Sequence, residues 1–278
     1  MSRELRQFPE TVQVAERSRT DAVLVWFLML TVRENRYSGE RQARHAHAET
    51  TVTIVLAGQL REVVGSREEI AHPLSIVLKP RATEHATAFG HGVRTLQIIL
   101  SEAAAASLEM SDDGFRVWRW HHAGPAVPAF LRLLQTCRVA PDRDASRDRL
   151  ETAAYDALAA LRLEPADAYR GVPPRWLSVT RQALDDSSRP PSVRELAHGS
   201  GVHPVYLARQ FRRWFGHSIT EHLARRRVQR AAALIACSDR PLSLVPYEAD
   251  FADQPHMCRV FSRETGVTPG AYRALLGS

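Results

Sequence analysis

A pattern in the last hundred residues of the chain repeats itself at an offset of 50. Arg209-Gln210-Phe211, with Gly216 and Ser218 beyond it, recurs as Arg259-Val260-Phe261, Gly266 and Thr268. Every aligned position keeps that offset and the flanks have helical texture, so the chain carries two copies of one supersecondary unit. In the first copy Ser192-Val193-Arg194-Glu195 is a capping box, and a helix starts there. Leu196 and Ala197 supply its buried face, and Gly201 lies where a sharp turn needs a residue that tolerates positive φ. His203-Pro204 opens a second helix, with proline where the amide has no intrahelical partner. Leu207 and Phe211 form its inner face, while Val205, Tyr206, Ala208, Arg209, Arg212 and Arg213 point outward. This layout is a helix-turn-helix, whose second helix can enter the major groove of DNA.

The second copy is less regular. Ser243 is the expected N-cap, Leu244, Val245 and Ala249 make the first helix, and Phe251 follows the turn. Gln254-Pro255 opens the next helix, with Met257 and Phe261 inward and His256, Arg259 and Arg263 outward. Pro246 takes the place of Ala197, and Asp250 that of Gly201. Proline in a first turn loses no hydrogen bond, and aspartate is among the residues that tolerate left-handed backbone. Between the copies Ile219 to Cys237 reads as a helix with Arg225, Arg226, Arg227 and Arg230 exposed. Its 19 residues make a rod of about 28 Å at roughly 1.5 Å per residue. Successive major-groove faces are roughly 34 Å apart, so both second helices could read one side of a duplex.

The charge agrees with that reading. From Val172 onward 15 arginines stand against 9 acidic residues, so the whole formal charge of +6 belongs to the repeat-bearing part. A polyanion is the natural partner of such a surface. Lys79 is the only lysine.

The 278 residues allow two domains, each with its own core. Short apolar runs at Val23 to Leu30, Thr51 to Leu56, Leu74 to Leu78 and Leu96 to Leu100, separated by turn-forming and charged residues, predict a small all-β sandwich or barrel. Pro128 to Arg138 and Ser146 to Leu163 carry apolar residues at helical spacing, Ser146 being a candidate N-cap. The expected division is a β-domain over 1–110, a helical dimerisation segment over 111–163, a Pro- and Gly-containing linker over 164–174 and the repeat domain over 175–278. The longest apolar run, Ala22 to Leu30, is too short to span a membrane and too far inside the chain for a signal peptide, so a soluble protein with no membrane partner is expected. Cys137, Cys237 and Cys258 are odd in number and lack CxxC spacing, which points to reduced, structural thiols.

From about Trp176 to Tyr272 the residues resemble the DNA-binding domain of the AraC/XylS family of bacterial transcription regulators. The resemblance rests on Leu196-Ala197, Tyr206-Leu207, Arg209, Phe211, Gly216, the Arg227 to Ala231 helix, Phe251, Arg259, Phe261, Gly266, Thr268-Pro269 and Tyr272-Arg273. It extends to one extra residue in the second turn. It implies base contacts from Val205, Ala208 and Arg209 in the first unit and from Gln254, His256 and Arg259 in the second, with Ser200, Arg212, Arg213 and Arg263 holding phosphates. Arg209 and Arg259 weigh most, because arginine pairs bidentately with guanine. The alternative for each is an ion pair that braces its own helix. Pro246 and Asp250 depart from the family pattern, so the first unit is expected to carry most of the specificity.

In the β-rich part Gly39, His45-Ala46-His47, Thr51, Gly58 and Pro80 to His85 resemble the two cupin motifs. Metal-binding cupins surround an ion with three histidines and a glutamate. His45, His47 and His85 match the histidines, Thr51 stands where the glutamate belongs, and Ala82 replaces a glycine. Alternation puts His45 and His47 on one face of a strand. Three imidazoles could take a divalent metal and leave a position open for a small molecule. The same three histidines equally suit a metal-free effector cavity, or barrel residues with no ligand. His121-His122, near Trp118 and Trp120, read as surface or domain-junction residues.

The fold expected is an α+β multidomain chain: an N-terminal cupin-like β-barrel with following helices, then an all-α domain with two helix-turn-helix units. The function expected is a sequence-specific, non-enzymatic transcription regulator controlled by a small-molecule effector, with double-stranded DNA, a second copy of the chain and RNA polymerase as partners, in the bacterial cytoplasm and on the nucleoid. Two other classes stay open. One is a metal-dependent cupin enzyme fused to a DNA-binding domain, against which the missing glutamate counts. The other is a constitutive DNA-binding protein whose front domain oligomerises.

Overall fold

The computed structural model describes residues 20–26, 29–111, 113–139, 146–163, 173–186, 191–237 and 240–277. Most of the expected linker, 164–172, lies outside them. The strands are β1 (Thr20–Trp26), β2 (Leu30–Tyr37), β3 (Arg41–His45), β4 (Thr50–Ala57), β5 (Leu60–Val64), β6 (Arg67–Ala71), β7 (Ser75–Lys79), β8 (His85–Phe89), β9 (Val93–Leu100) and β10 (Arg119–His122). They form one sheet in the order β1-β2-β9-β4-β7-β10 and a second in the order β3-β8-β5-β6. All pairings are antiparallel.

Side-chain alternation gives the larger sheet two different faces. On β4, Val52, Ile54 and Leu56 join a core shared with the helices, whereas Val55 packs with Tyr37, Val77, Val93, Trp118 and Trp120 and with Leu60, Ala71 and Phe89 of the smaller sheet. The second group fills the space between the sheets, which is the interior of a cupin-like barrel. Gly58 turns the chain from β4 to β5 at φ +69°, where an added Cβ would lie 2.9 Å from Val93 Cα. Only glycine fits that approach. Ala82, in place of the cupin glycine, holds φ +58°, a left-handed backbone that costs a residue with a side chain roughly 1–2 kcal/mol.

Helix α1 (Glu102–Ser111) and a 3-10 turn (Asp113–Arg116) lead from β9 to β10, and α2 (Val127–Val139) and α3 (Arg147–Leu163) follow as a packed pair. The remaining helices are α4 (Arg175–Asp186), α5 (Val193–Gly199), α6 (Pro204–Phe215), α7 (Ile219–Cys237), α8 (Val245–Glu248), α9 (Gln254–Thr265) and α10 (Pro269–Gly277). No helix among the described residues is long and apolar enough to cross a membrane. The three cysteines form no disulfide among the described residues.

The first helix-turn-helix, α5–α6, forms as its local signals dictate. Ser192 Oγ accepts from the Glu195 amide at 3.2 Å, and the Ser192 amide donates to Glu195 Oε2 at 2.7 Å. Gly201 sits at φ +66°. Leu177, Leu184, Leu196, Ala197, Leu207, Phe211, Phe215 and Ile219 make this unit a core of its own.

The second unit, α8–α9, differs from expectation at its start. Ser243 does not cap α8. The Leu244 amide closes a turn onto the Pro241 carbonyl at 3.1 Å, so Ser243 lies inside a turn and not in the extended backbone a cap requires. Helix α8 begins at Val245, has 4 residues and has no side-chain cap. Leu244 is half exposed, while Val245, Ala249, Phe251, Met257 and Phe261 are buried. Asp250 adopts φ +64°, as its place in the turn demands.

These buried residues belong to one continuous core with the outer face of the larger sheet, α2, α3, Tyr272 and the C-terminal half of α7. The second unit is therefore built onto the front domain. Tyr272 Oη donates to the Leu56 carbonyl at 2.5 Å, Arg94 donates to the Leu276 carbonyl, and Arg138 Nε donates to the Leu275 carbonyl at 3.4 Å. Glu34 holds both arginines, Arg94 at 2.5 Å and Arg138 at 2.6 Å.

Candidate nucleic-acid interface

On α6, His203 takes the N-cap position, and its Nδ1 accepts from the Val205 amide at 3.3 Å. With Leu207 and Phe211 locked inside, helical geometry turns Val205, Tyr206, Ala208, Arg209, Arg212 and Arg213 outward, and all six are exposed. Tyr206 stacks on Trp176 of α4 at 6.1 Å between ring centroids, which fixes its direction. Ser200 is half-buried, with its hydroxyl 3.1 Å from that of Thr180.

Helix α9 repeats this arrangement with a different cap, since Asp253 Oδ1 accepts from the His256 amide at 2.6 Å. Sequence reasoning missed that cap, although an aspartate directly before Gln254-Pro255 is a recognisable start signal. Gln254, Arg259 and Arg263 are exposed and His256 is half-buried, with its ring edge-on to Phe251 at 5.5 Å. Arg263 pairs with Glu264 at 2.8 Å. Arg209 and Arg259, at equivalent places in the two copies, make no hydrogen bond or ion pair with another described residue. The alternative in which each braces its own helix is not what the structure shows.

Helix α7 departs from expectation more sharply. Arg225, Arg226, Arg227 and Arg230 are half-buried, not exposed. Arg226 pairs with Asp185 of α4 at 3.1 Å, and Arg227 pairs with Asp250 at 3.2 Å. The sequence could not show this, because the surface that covers them comes from distant segments. The Arg227 pair also ties the turn of the second unit to the connecting helix.

In the barrel, the rings of His45, His47 and His85 lie within 4.4–5.0 Å of one another between centroids. Strand β3 ends at His45, so His47 reaches the cluster from the loop beyond, not from alternation along one strand. His45 Nδ1 donates to the Ala43 carbonyl at 2.7 Å and His85 Nδ1 to the Thr83 carbonyl at 3.0 Å. A neutral imidazole with its proton on Nδ1 presents an Nε2 lone pair. Burial, helped by the Lys79 ammonium, pushes His85 down to about 3, so its ring is neutral at pH 7. The metal-binding atoms of the three residues lie within 4.8 Å of one another.

Around the cluster the barrel interior is polar at one end. Thr51, in the glutamate's place, pairs across the sheet with Lys79. Lys79 forms an ion pair with Glu62, which is fully buried. Thr51 Oγ1, Thr53 Oγ1, Glu62 Oε2, His85 Nε2 and the indole nitrogens of Trp118 and Trp120 are buried with no hydrogen-bond partner. Native interiors rarely leave so many polar atoms unsatisfied, because each costs about 1–3 kcal/mol. His121 is buried and His122 faces the junction between the barrel and α4, so neither is a surface residue.

The fold and this paired surface define a double helix-turn-helix protein that presents two matched helices to solvent. A family model described as a helix-turn-helix domain matches residues 196–275. Over 85 residues the chain is 31% identical to regulatory protein SoxS of Salmonella typhimurium, covering 31% of this chain and 79% of SoxS. Over 100 residues it is 33% identical to the HTH-type transcriptional regulator RipA of Corynebacterium glutamicum, a match to 36% of this chain that spans only 30% of RipA. Among solved structures, apo ToxT K231A from Vibrio cholerae is similar over 89% of this chain and 97% of its own, at 11% identity and a TM-score of 0.38, too slight a likeness to bear on function. The chain belongs to the AraC/XylS family of transcription regulators.

Proposed function

We propose that the protein reads double-stranded DNA with α6 and α9, and that a small polar molecule in the barrel interior controls it. The observation that carries the first part is the pair Arg209 and Arg259, exposed and without partners among the described residues at equivalent positions of the repeat. Val205, Ala208, Gln254 and His256 flank them as base-edge contacts, with Tyr206 beside them, and Ser200, Arg212, Arg213 and Arg263 hold phosphates. The control site is supported by the unsatisfied polar atoms between the sheets, which a ligand with both donors and acceptors would pair. Such a protein needs no chemical step and is not an enzyme. A homodimer joined through α2 and α3, whose outer surface exposes Tyr155, would give the regulator two DNA contacts, with RNA polymerase as a further partner in the cytoplasm.

The test is binding of the full chain to a duplex from its own promoter region at several salt concentrations. The three phosphate-holding arginines predict a fall in affinity of roughly 40-fold between 50 and 200 mM salt. Salt-independent binding, or none, would refute the reading.

The histidine cluster favours a second reading of the control site. His45 and His85 have committed Nδ1 to backbone carbonyls, which leaves Nε2 as the ligand atom, the second-contact pattern of metal-binding imidazoles. His45, His47 and His85 would hold a divalent ion, which would supply a Lewis-acidic anchor for an anionic effector. Zinc at about 100 times its Kd would then stabilise the protein by roughly 2.7 kcal/mol. His45→Ala would abolish that thermal shift. Equal shifts in both proteins, or none in either, would leave the metal-free cavity.

A further inference from the structure

The two helix-turn-helix units are held in the molecule by different means. The second shares its core with the barrel and with α2 and α3. The first has a separate core and joins the rest through α7, whose Ile219 and Leu223 pack into the first unit while Val228, Ala231, Ala232 and Ile235 pack into the larger core. Between α4 and the barrel the contact is polar, and it closes into a ring. His222 Nε2, on α7, donates to Asp185 Oδ1 at 2.9 Å. Arg181, one turn before Asp185 on α4, lies 3.7 Å from its Oδ2 and reaches across to donate to Glu69 Oε1 of β6 at 2.9 Å. His122 Nε2 of β10 meets the same Glu69 oxygen at 3.1 Å, and its Nδ1 is 3.3 Å from Ser75 Oγ of β7. Gln229 Nε2, back on α7, donates to that hydroxyl at 3.1 Å. His222 and Gln229 are seven residues apart and so lie on one face of the helix.

We propose that this ring is a positioning device for DNA recognition: Arg181, seated between Glu69 and Asp185, sets the angle of the first reading unit against the second. The proposal rests on the reading of α6 and α9 as the DNA surface. Both carboxylates stay ionised in the fold. Burial opposes this, but the His122 hydrogen bond and the Arg181 and Arg67 cations hold Glu69 well below the usual range, and His222, Arg181 and Arg226 bring Asp185 to about 2. Charge-assisted bonds of this kind are directional, and breaking a buried one leaves an uncompensated charge that the structure relieves by moving. Beside the ring lies a cavity of about 540 Å³ lined in part by His72, Trp214 and Phe215, and the Arg181 guanidinium lies 5.2 Å from the centroid of the Phe215 ring of the first unit. A ring made of barrel strands on one side and α4 on the other also gives the front domain a direct hold on the spacing of the two recognition helices.

The test uses the full chain and two readouts, with Arg181→Ala as the variant, Arg181→Lys as the conservative one, and Arg61→Ala, which removes an exposed surface pair, as the control. The first readout is amide hydrogen exchange without DNA. Arg181→Ala is expected to speed exchange in α4 to α6 by about tenfold or more and to leave β4 and α9 unchanged, with Arg181→Lys intermediate and Arg61→Ala silent. The second is the affinity for a duplex selected by the wild-type protein, compared with the same duplex carrying two extra base pairs in its centre. The wild type should discriminate strongly, and Arg181→Ala should lose most of that discrimination while keeping its affinity for random duplex. Exchange that rises throughout the chain, or discrimination that survives Arg181→Ala, would overturn the proposal. If the wild type selects no duplex, the DNA reading falls and the positioning role with it, while local exchange in α4 to α6 still shows whether the ring holds the first unit.

Discussion

Phe261→Ala is expected to destabilise the whole molecule, whereas Phe211→Ala loosens only the first helix-turn-helix unit. Both rings are fully buried at equivalent places in the repeat, and both are inner-face residues of a recognition helix. Removing a buried phenylalanine side chain costs about 3–5 kcal/mol, against a typical domain stability of about 5–15 kcal/mol. The difference lies in what each ring supports. Phe211 packs within the isolated core of α4 to α7, beside Phe215 at 4.7 Å between centroids. Phe261 stacks edge-on to Tyr272 at 5.6 Å, in the core that runs through to β4 and α2. Calorimetry with hydrogen exchange separates the cases. Phe211→Ala should split unfolding into two transitions, the earlier confined to α4 to α6. Phe261→Ala should lower one main transition that includes the barrel. Equal, global effects would mean that the two units are not held differently.

Arg209→Ala is expected to weaken binding to a preferred duplex by roughly 1–3 kcal/mol, about 5- to 150-fold, with little change on random duplex. An exposed guanidinium with no partner among the described residues breaks no protein contact on binding, so the substitution removes its bidentate contact with a guanine and little else. Arg212→Ala, three residues further along α6 and a phosphate contact by the family resemblance, should weaken every sequence alike and reduce the salt slope by about one. Arg259→Ala should relax specificity at separate base positions. Competition binding against selected and random duplexes measures all three. Uniform losses for Arg209→Ala would move that residue from base reading to phosphate holding.

The first unit was legible in the sequence because each of its boundaries rests on local chemistry. The Ser192 capping box, Gly201 and Pro204 need no distant partner, and the structure has them where the sequence puts them. Ser243 misled for the same reason. A serine before an apolar run signals a cap, but a cap also needs extended backbone, and the turn closed by Pro241 and Leu244 denies it. Strands with apolar runs, such as β4 and β7, announced themselves. Strand β6, Arg-Glu-Glu-Ile-Ala, did not, because its Glu69 is met by Arg181 of α4 and His122 of β10 and not by water. The arginines of α7 show the converse. On a helix wheel they look like a solvated face, yet Asp185 and Asp250, supplied from either side, claim two of them. The histidine cluster was legible as residue types and spacing. Its commitment of Nδ1 to backbone carbonyls, and the polar atoms stranded around it, are properties of the folded barrel alone.

The most direct test of the central claim is selection from a random duplex library by the full chain at physiological salt. Two matched but unequal recognition helices predict an enriched sequence with two unequal elements about one helical turn apart, lost when Arg209→Ala and Arg259→Ala are combined. Failure to enrich any sequence, or enrichment that survives the double substitution, would contradict it.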